Sequence, residues 1–318
     1  MSSWDPVALE CLAAIVEEGG FERAAQKLHI TQSAVSQRLR ALEAQVGSVL
    51  VERTRPVKPT SAGRLLLKHA KQLRLLRADL AHELQELAPQ TGQSLAGEIV
   101  SIAINADSIA TWAMTALDEL VKSGLPLEVV VDDQDFTQEL LRSGQVMGCV
   151  TTLSQAMRGC TVQPLGAMRY VAVASAEFAR QRLPQGLTRK NFNQLPYLSF
   201  NRKDDMQAEF VARCLGLRNV SLQHQILLPS CEAQVRAVRA GWGVGVLPQL
   251  LVQPALDAGE LIDVAAGHVL SIALFWHCWN LESRVLARVS QALLGKARQV
   301  LQAVLCRQEK RPCFAARP

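Results

Sequence analysis

Five polar side chains lie at helical spacing in a short segment near the N-terminus: Gln32, Ser33, Ser36, Gln37 and Arg40. Arginine and glutamine can form paired hydrogen bonds to base edges in the major groove of DNA, and serine is short enough to reach a base or a phosphate. Val35, Leu39 and Leu42 recur every three or four positions and form the opposite face. This pattern predicts a helix that reads DNA with one face and packs on its own domain with the other.

The segment around this helix is strongly basic. Residues 21–77 hold twelve Lys and Arg against three acidic residues, whereas the whole chain carries a net charge of +5. Positive charge that neutralises DNA phosphates releases counterions and so drives association, although charge alone fits a solvated basic surface equally well. Arg53, Arg55 and Lys58 lie in a loop in which Pro56 and Pro59 forbid a helix, and we expect these three side chains to contact DNA.

A second group of candidate residues follows predicted strands in the rest of the chain: Asn105, Asp107, Ser108, Trp112, Asp132, Asp133, Asp205, Ser230 and Glu232. The strand predicted at 99–104 runs into Asn105–Ser108 as a helix begins, and the free N–H groups of a helix N-terminus attract carboxylates. Another helix begins near Ser230. The acids are candidates for a ligand ammonium and a cationic side chain, and Trp112 for a wall of the pocket. Taken one by one, the acids are more typical of helix caps or solvated loop residues.

Several helices and a strand must position the DNA-reading residues. The spacing of apolar residues predicts helices from Pro6 to about 18, at 22–28 and at 32–46, then a strand at 49–51 and the basic loop. This order is typical of a winged helix-turn-helix. A long helix follows to about 87, with a stripe every three or four residues made of Leu66, His69, Leu73, Leu76, Leu80, Leu84 and Leu87. The stripe predicts a partner helix and hence a dimer, with packing against its own domain as the alternative.

From residue 97 onward, strands alternate with helices. Strands are predicted at 99–104, 127–131, 146–150, 170–174, 195–200, 244–248 and 270–276, and helices at 109–121, 136–142, 232–240 and 283–305. This alternation predicts an α/β domain with a mostly parallel sheet. Gly241, Gly243 and Gly245 close a helix and open a strand, the reverse of a dinucleotide-binding fingerprint, and are interpreted as a structural turn.

Composition and motifs exclude several classes of protein. At 318 residues and 49% apolar content, with no apolar run long enough to span a bilayer, the chain is expected to be a cytoplasmic globular protein that does not bind membranes. The eight cysteines show no zinc-type spacing and are interpreted as reduced thiols, mostly in the core. The histidines form no metal motif, and nucleophile-elbow and phosphate-loop motifs are absent. We therefore expect neither a metal, a cofactor nor catalysis, and expect most tryptophans, among them Trp112 and Trp242, to belong to the core.

The sequence from Phe21 to Glu43 resembles the helix-turn-helix of LysR-type transcriptional regulators, and Arg53 and the segment Pro59–Gly63 match the same family. The resemblance extends over the whole chain. It implies a winged helix-turn-helix at 1–60, a linker helix for dimerisation at 61–88, a hinge at 89–96, an effector-binding domain at 97–305 and a basic tail at 306–318. The effector-binding domain is expected to be an α/β sensor like a periplasmic binding protein, with subdomain I at about 97–167 and 270–305 and subdomain II at about 168–269.

A narrower resemblance points to the branch of the family that contains ArgP and LysG. It rests on Asn105–Trp112, Val131–Asp133 with Thr137–Glu139, Asp204–Met206, Gly259–Asp263 and Trp276–His277. Members of this branch control the export of arginine and lysine, and one is described as an inhibitor of replication initiation. The resemblance implies a dimeric or tetrameric regulator that binds a double-stranded operator, responds to lysine or arginine and contacts RNA polymerase. The alternatives are a regulator with a different small effector and a ligand-independent, nucleoid-type DNA binder.

Overall fold

The computed structural model describes residues 4–87, 99–132 and 137–301, with the backbone alone at 85–87 and 132. Residues 89–96 and the tail at 306–318 lie outside the described residues, as do Asp133, Cys306 and Cys313. The chain divides into two compact units. The first comprises residues 1–109, 113–163 and 276–293, and the second comprises 110–112, 164–275 and 294–318.

The first unit begins with three short helices, a hairpin and a long helix. In chain order these are α1 Pro6–Glu17, α2 Phe21–Lys27, α3 Gln32–Val46, β1 Val51–Glu52, β2 Lys58–Pro59 and α4 Ser61–Leu87. Local caps fix the ends of these helices: Asp5 accepts a hydrogen bond from the Val7 amide, Thr31 accepts one from the Ala34 amide, and Gly47 ends α3 in the left-handed region. The core of this module holds Leu12, Ile15, Val35, Leu39, Leu42, Leu50 and Leu67.

The hairpin packs closely against the start of α4. β1 and β2 pair in antiparallel register, with Val51 opposite Pro59. The Leu50 carbonyl accepts a hydrogen bond from the Thr60 amide at 3.0 Å. A Cβ built on Gly63 would stand 1.9 Å from that same carbonyl oxygen, so only glycine allows this approach.

The linker helix α4 has two kinds of apolar residue, which corrects the single stripe predicted from the sequence. Leu66 is buried in the core of the helix-turn-helix, and Leu73 packs against that core within the same chain. Leu76, Leu80 and Leu84 are exposed instead, the last two at 55% and 56%. The leucines in the first half of α4 therefore pack within the chain, whereas those in the second half form an exposed apolar face.

The remaining elements form the α/β part. In chain order they are β3 Val100–Asn105, α5 Ala106–Ser108, a π-helical turn Ile109–Ala113, α6 Met114–Lys122, β4 Leu127–Asp132, α7 Thr137–Arg142, β5 Gly148–Thr151, β6 Cys160–Ser175, α8 Ala176–Arg182, a 3-10 turn Phe192–Gln194, β7 Pro196–Ser199, α9 Met206–Leu215, β8 His224–Leu227, α10 Cys231–Arg239, β9 Val244–Pro248, α11 Gln249–Asp257, β10 Leu261–Asp263, β11 Leu270–Trp279 and α12 Arg284–Val300. None of the described helices is both long and apolar enough to cross a bilayer.

Each unit contains its own group of strands. In the first unit β3 lies between β4 and β5 and is parallel to both. In the second unit β7 is parallel to β8 and β9, whereas β6 is antiparallel to β9 and β10. Four of these six strand pairings are parallel and two are antiparallel, so the predicted mostly parallel sheet also contains antiparallel strands. Helices α8, α9 and α11 were not predicted from the sequence.

The glycine turn before β9 is confirmed as structural. Gly243 lies where a Cβ would stand 2.3 Å from the Pro196 carbonyl oxygen, so the turn packs directly on the neighbouring β7. Trp242 in this turn is 51% exposed, so its predicted place in the core is wrong. Trp112 and Trp276 are buried as expected.

Candidate functional site

The α3 helix presents the predicted DNA-reading residues away from its core. Gln32, Ser33, Gln37 and Arg40 are exposed, and Ser36 is half-buried. The opposite face carries the buried Val35, Leu39 and Leu42. Packing of this apolar face fixes the rotation of α3 about its own axis, so the polar face is left accessible to a DNA duplex.

The turn between α2 and α3 sets the angle at which the recognition face is held. His29 adopts a left-handed backbone conformation, with φ of 53°, and the Ile30 amide donates to the Ala25 carbonyl. Ala24 and Ala25 on α2 are buried, and their small side chains allow α2 to lie close to neighbouring helices. The turn needs no glycine because a polar residue such as histidine tolerates this conformation better than a β-branched one.

The wing lies beside the recognition helix and presents three cations. Arg53, Arg55 and Lys58 are exposed, and the Arg53 guanidinium stands 5.9 Å from the centre of the Phe21 ring at the start of α2. Glu43 on α3 accepts a hydrogen bond from the Leu50 amide at 2.9 Å. This bond ties the recognition helix to the strand that leads into the wing, so the two basic surfaces are held together.

The first unit also brings together the carboxyl ends of three parallel strands. Asn105 at the end of β3 is in register with Asp132 at the end of β4. Ala103 pairs with Cys149 on β5, which brings Thr151, two residues further on, level with Asn105. Ligands of open α/β sheets bind at this edge. Asn105 and Asp132 were predicted site residues, whereas Thr151 was missed.

Two buried polar atoms at this edge have no hydrogen-bond partner in the described part of the chain. Asn105 is 3% exposed, and its Oδ1 is unpartnered; Ser108 is fully buried, and its Oγ is likewise unpartnered. Leaving such an atom unpaired in the interior costs about 1–3 kcal/mol. The helix begins at Ala106 rather than at the predicted 109, so Ser108 lies inside its first turn, and Asn105 holds the N-cap position. Asp107 is half-buried.

The second unit holds the remaining candidates. Ser230 is the N-cap of α10 and accepts a hydrogen bond from the Ala233 amide, whereas Glu232 in the first turn is exposed. Asp205 is exposed at the start of α9. These two helices begin after β7 and β8, whose last residues, Ser199 and Leu227, are in register.

Two polar residues of the second unit were missed as site candidates. Asp204 accepts hydrogen bonds from the Phe200 and Met206 amides, so it, rather than Asp205, shapes the loop that precedes α9. Ser199 is fully buried, and its Oγ finds no partner within the described ranges. The sequence signal for Ser199, as for Thr151, is a polar residue at the carboxyl end of an apolar strand. Trp112, also of this unit, is fully buried, with Nε1 unpartnered by any described group.

Comparison with known protein families gives two matches that together span most of the chain. Residues 7–64 match "Bacterial regulatory helix-turn-helix protein, lysR family", and residues 93–301 match "LysR substrate binding domain". The chain therefore belongs to the LysR family and is a LysR-type transcriptional regulator.

Individual relatives point to one branch of the LysR family. The chain is 39% identical over 298 residues to the HTH-type transcriptional regulator ArgP of Pseudomonas aeruginosa, covering 93% of this chain and 97% of that protein. It is 40% identical over 293 residues to LysG of Mycobacterium tuberculosis, covering 92% and 93%. These relatives are transcriptional regulators.

Two solved structures resemble the whole chain. The crystal structure of ArgP from Mycobacterium tuberculosis has a TM-score of 0.83 at 38% identity, covering 95% of this chain and 100% of that chain. Full-length LysG of Corynebacterium glutamicum with bound effector Arg has a TM-score of 0.73 at 35% identity, covering 94% and 99%. The resemblance to the ArgP and LysG branch, predicted from the sequence, is confirmed.

Proposed function

We propose that this regulator binds lysine or arginine in its α/β part and changes its operator contacts in response. The observation that carries the proposal is the pair of buried, unpartnered atoms at the end of β3, Asn105 Oδ1 and Ser108 Oγ. A hydroxyl donates to a carboxylate, and an amide oxygen accepts from an ammonium, so the pair suits the two charged backbone groups of an amino acid. The similar LysG of Corynebacterium glutamicum, solved with bound effector Arg, supports the same class of ligand.

Charge balance supports a basic rather than a neutral amino acid. Removing an unpaired cation from water costs several kcal/mol, so a cationic side chain needs a carboxylate at the site. Asp107 and Asp132 lie at the same sheet edge as Asn105, and Asp133 follows directly in the sequence. Asp205, Ser230, Glu232 and Trp112 of the second unit remain further candidates, which the sequence predicts.

The proposed operator contacts come from two surfaces. Gln32, Ser33, Ser36, Gln37 and Arg40 read bases or adjoining phosphates from α3, and Arg53, Arg55 and Lys58 bind phosphates from the wing. The exposed Leu76, Leu80 and Leu84 on α4 cover one another in a dimer, which tethers two half-sites. We also propose that the regulator is cytoplasmic, that it contacts RNA polymerase and that it is not an enzyme.

Two alternatives are less well supported. A ligand-independent architectural DNA binder has no need of a domain of this size, and residues 93–301 match a substrate-binding domain. A regulator with another effector keeps the same fold but needs different charges at the site. An acidic effector would bring a second carboxylate to the sheet edge that already holds Asp107 and Asp132.

Isothermal titration calorimetry with lysine, arginine and norleucine tests the proposal. We expect lysine or arginine to bind and norleucine, which lacks the side-chain ammonium, to bind at least about tenfold more weakly. Equal binding of lysine and norleucine contradicts the proposal, as does binding of an acidic metabolite when neither lysine nor arginine binds.

A serine variant gives a second test, because the change is expected to weaken effector binding without lowering the stability of the protein. Ser108→Ala removes a buried hydroxyl that has no partner, so it does not lower the thermal stability of the effector-free protein. The same change weakens lysine binding by about tenfold, since the bound carboxylate loses a charge-assisted hydrogen bond. Ser123→Ala, in the turn that precedes β4 at the other end of the strands, is the control for affinity and leaves it unchanged.

A further inference from the structure

His277 on β11 is a buried histidine that the proposed contacts do not use. Its side chain is fully buried, and its Nε2 lies 2.7 Å from the carbonyl oxygen of Leu153. A carbonyl can only accept a hydrogen bond, so Nε2 carries the proton and donates. Nδ1 is then an acceptor, and no donor from the described residues reaches it.

The carbonyl that His277 holds belongs to the loop at the site edge. Leu153 lies two residues after Thr151, which ends β5 level with Asn105 on the neighbouring β3. Thr151 is buried, so the loop starts in the interior of the unit, at the carboxyl end of β5. A hydrogen bond from another strand, β11, therefore contributes to holding this loop.

The neighbour of His277 keeps the histidine in place. Trp276 is buried and donates from Nε1 to Ser290 Oγ at 2.9 Å, which ties β11 to α12. Its ring lies so close to Gly148 at the start of β5 that a Cβ there would stand 2.3 Å from the ring. Burial also lowers the pKa of His277 below its usual 6.5, so the ring is neutral at neutral pH.

We propose that His277 is a positioning residue of the effector site: its Nε2–H fixes the Thr151–Leu153 loop beside Asn105. The inference rests on the proposed function, because it assigns His277 a role in binding the same basic amino acid. His277 acts through the loop and does not itself touch the effector.

Two variants of similar size separate the hydrogen bond from packing. His277→Gln keeps an N–H donor at about the reach of Nε2, whereas His277→Met fills the space without a donor. We expect His277→Met to raise the Kd for lysine or arginine by about threefold to tenfold and His277→Gln to stay within about twofold of wild type. His268→Met, at an exposed histidine, is the control and leaves the Kd unchanged.

The calorimetric outcomes separate this inference from the proposed function. If the wild-type protein binds neither lysine nor arginine, both are overturned. If the wild type binds and both variants bind equally well, or both lose affinity equally, the hydrogen bond does not position the site and this inference alone is overturned.

The role of His277 can also be tested in the wild-type protein, without a variant that must fold. Nitrogen-15 NMR of labelled histidines in the wild-type protein is expected to show the Nε2–H form of His277 and a change in its resonances when lysine is added. A His277 signal that stays unchanged at saturating lysine and arginine, in a protein that binds them, overturns the inference.

Discussion

Substitution of Gly63 by alanine tests how the wing is fixed to the linker helix. The added methyl group would stand 1.9 Å from the Leu50 carbonyl oxygen and 2.9 Å from its carbon. Both atoms are backbone, so neither can rotate away as the end of a flexible side chain would. The hairpin must therefore move by about 1 Å or more relative to the first turn of α4.

The expected cost follows from what that movement breaks. The Leu50 carbonyl accepts a 3.0 Å hydrogen bond from the Thr60 amide, and Leu50 is fully buried. Overpacking costs about 1–3 kcal/mol, and a strained or lost buried hydrogen bond costs a similar amount. The better helix propensity of alanine returns about 1 kcal/mol. We expect a net destabilisation of the winged module by about 3 kcal/mol.

Hydrogen–deuterium exchange reports this loss locally, without assuming that a two-unit chain unfolds in one step. A loss of about 3 kcal/mol corresponds to about a hundredfold faster exchange of the Thr60 amide. Gly295→Ala on α12, where a Cβ meets nothing within 4 Å, is the control: it slows local exchange slightly and leaves the wing unchanged. If exchange of the Thr60 amide is unchanged in Gly63→Ala, the contact between Gly63 and the Leu50 carbonyl does not fix the wing to α4.

Three further predictions concern DNA, assembly and pH. Arg40→Ala is expected to cost about 1–3 kcal/mol of binding free energy on the operator and far less on random DNA, whereas Lys58→Ala weakens binding to both DNAs alike and lowers the salt dependence of the affinity by about 1 in slope. Equal losses of affinity on both DNAs for Arg40→Ala would show that Arg40 does not read bases. Leu80→Asp with Leu84→Asp places charges on the exposed face of α4 and should reduce the assembly seen in sedimentation, so an unchanged assembly shows that this face is not the interface. The folded state holds the pKa of His277 below 6.5, so the neutral ring contributes fully to the free energy of unfolding above that pH, and this contribution is lost as the pH falls below it. Between about pH 7 and about pH 5.5, chemical denaturation should show a smaller decrease in the free energy of unfolding for His277→Gln than for the wild type.

The DNA-binding module could be predicted closely because its signals are local. The α3 helix occupies the predicted residues 32–46, with Thr31 as its cap and Gly47 at its end. Caps, turns and the spacing of apolar residues depend on neighbours within one or two helical turns. The fully buried Val35 and Leu42 follow from the same rule.

Contacts between distant segments were not predictable in the same way. A stripe of leucines does not say whether its partner lies in the same chain, so Leu66 and Leu80 looked alike although one is buried and the other exposed. Strand direction was also hidden, because β6 has the same apolar pattern in antiparallel pairing as it would in parallel pairing.

The candidate site was predictable in part. Polar residues after apolar strands identified Asn105 and Ser108, whose unpartnered atoms the structure reveals. The bond from His277 to the Leu153 carbonyl joins residues 124 positions apart in the sequence and involves a backbone atom. No residue pattern encodes such a contact, since every residue carries the same carbonyl.

A basic amino acid is proposed to change the way this regulator binds its operator. The direct test is the Kd of the full-length protein for an operator selected from random DNA, measured by fluorescence anisotropy alone, with lysine, with arginine and with norleucine. We predict a change of at least about fivefold with lysine or arginine and none with norleucine, since a ligand shifts operator affinity only through its differential binding to the DNA-bound state. An operator Kd that stays the same under all four conditions, or that changes equally with norleucine, would show that a basic amino acid does not control operator binding.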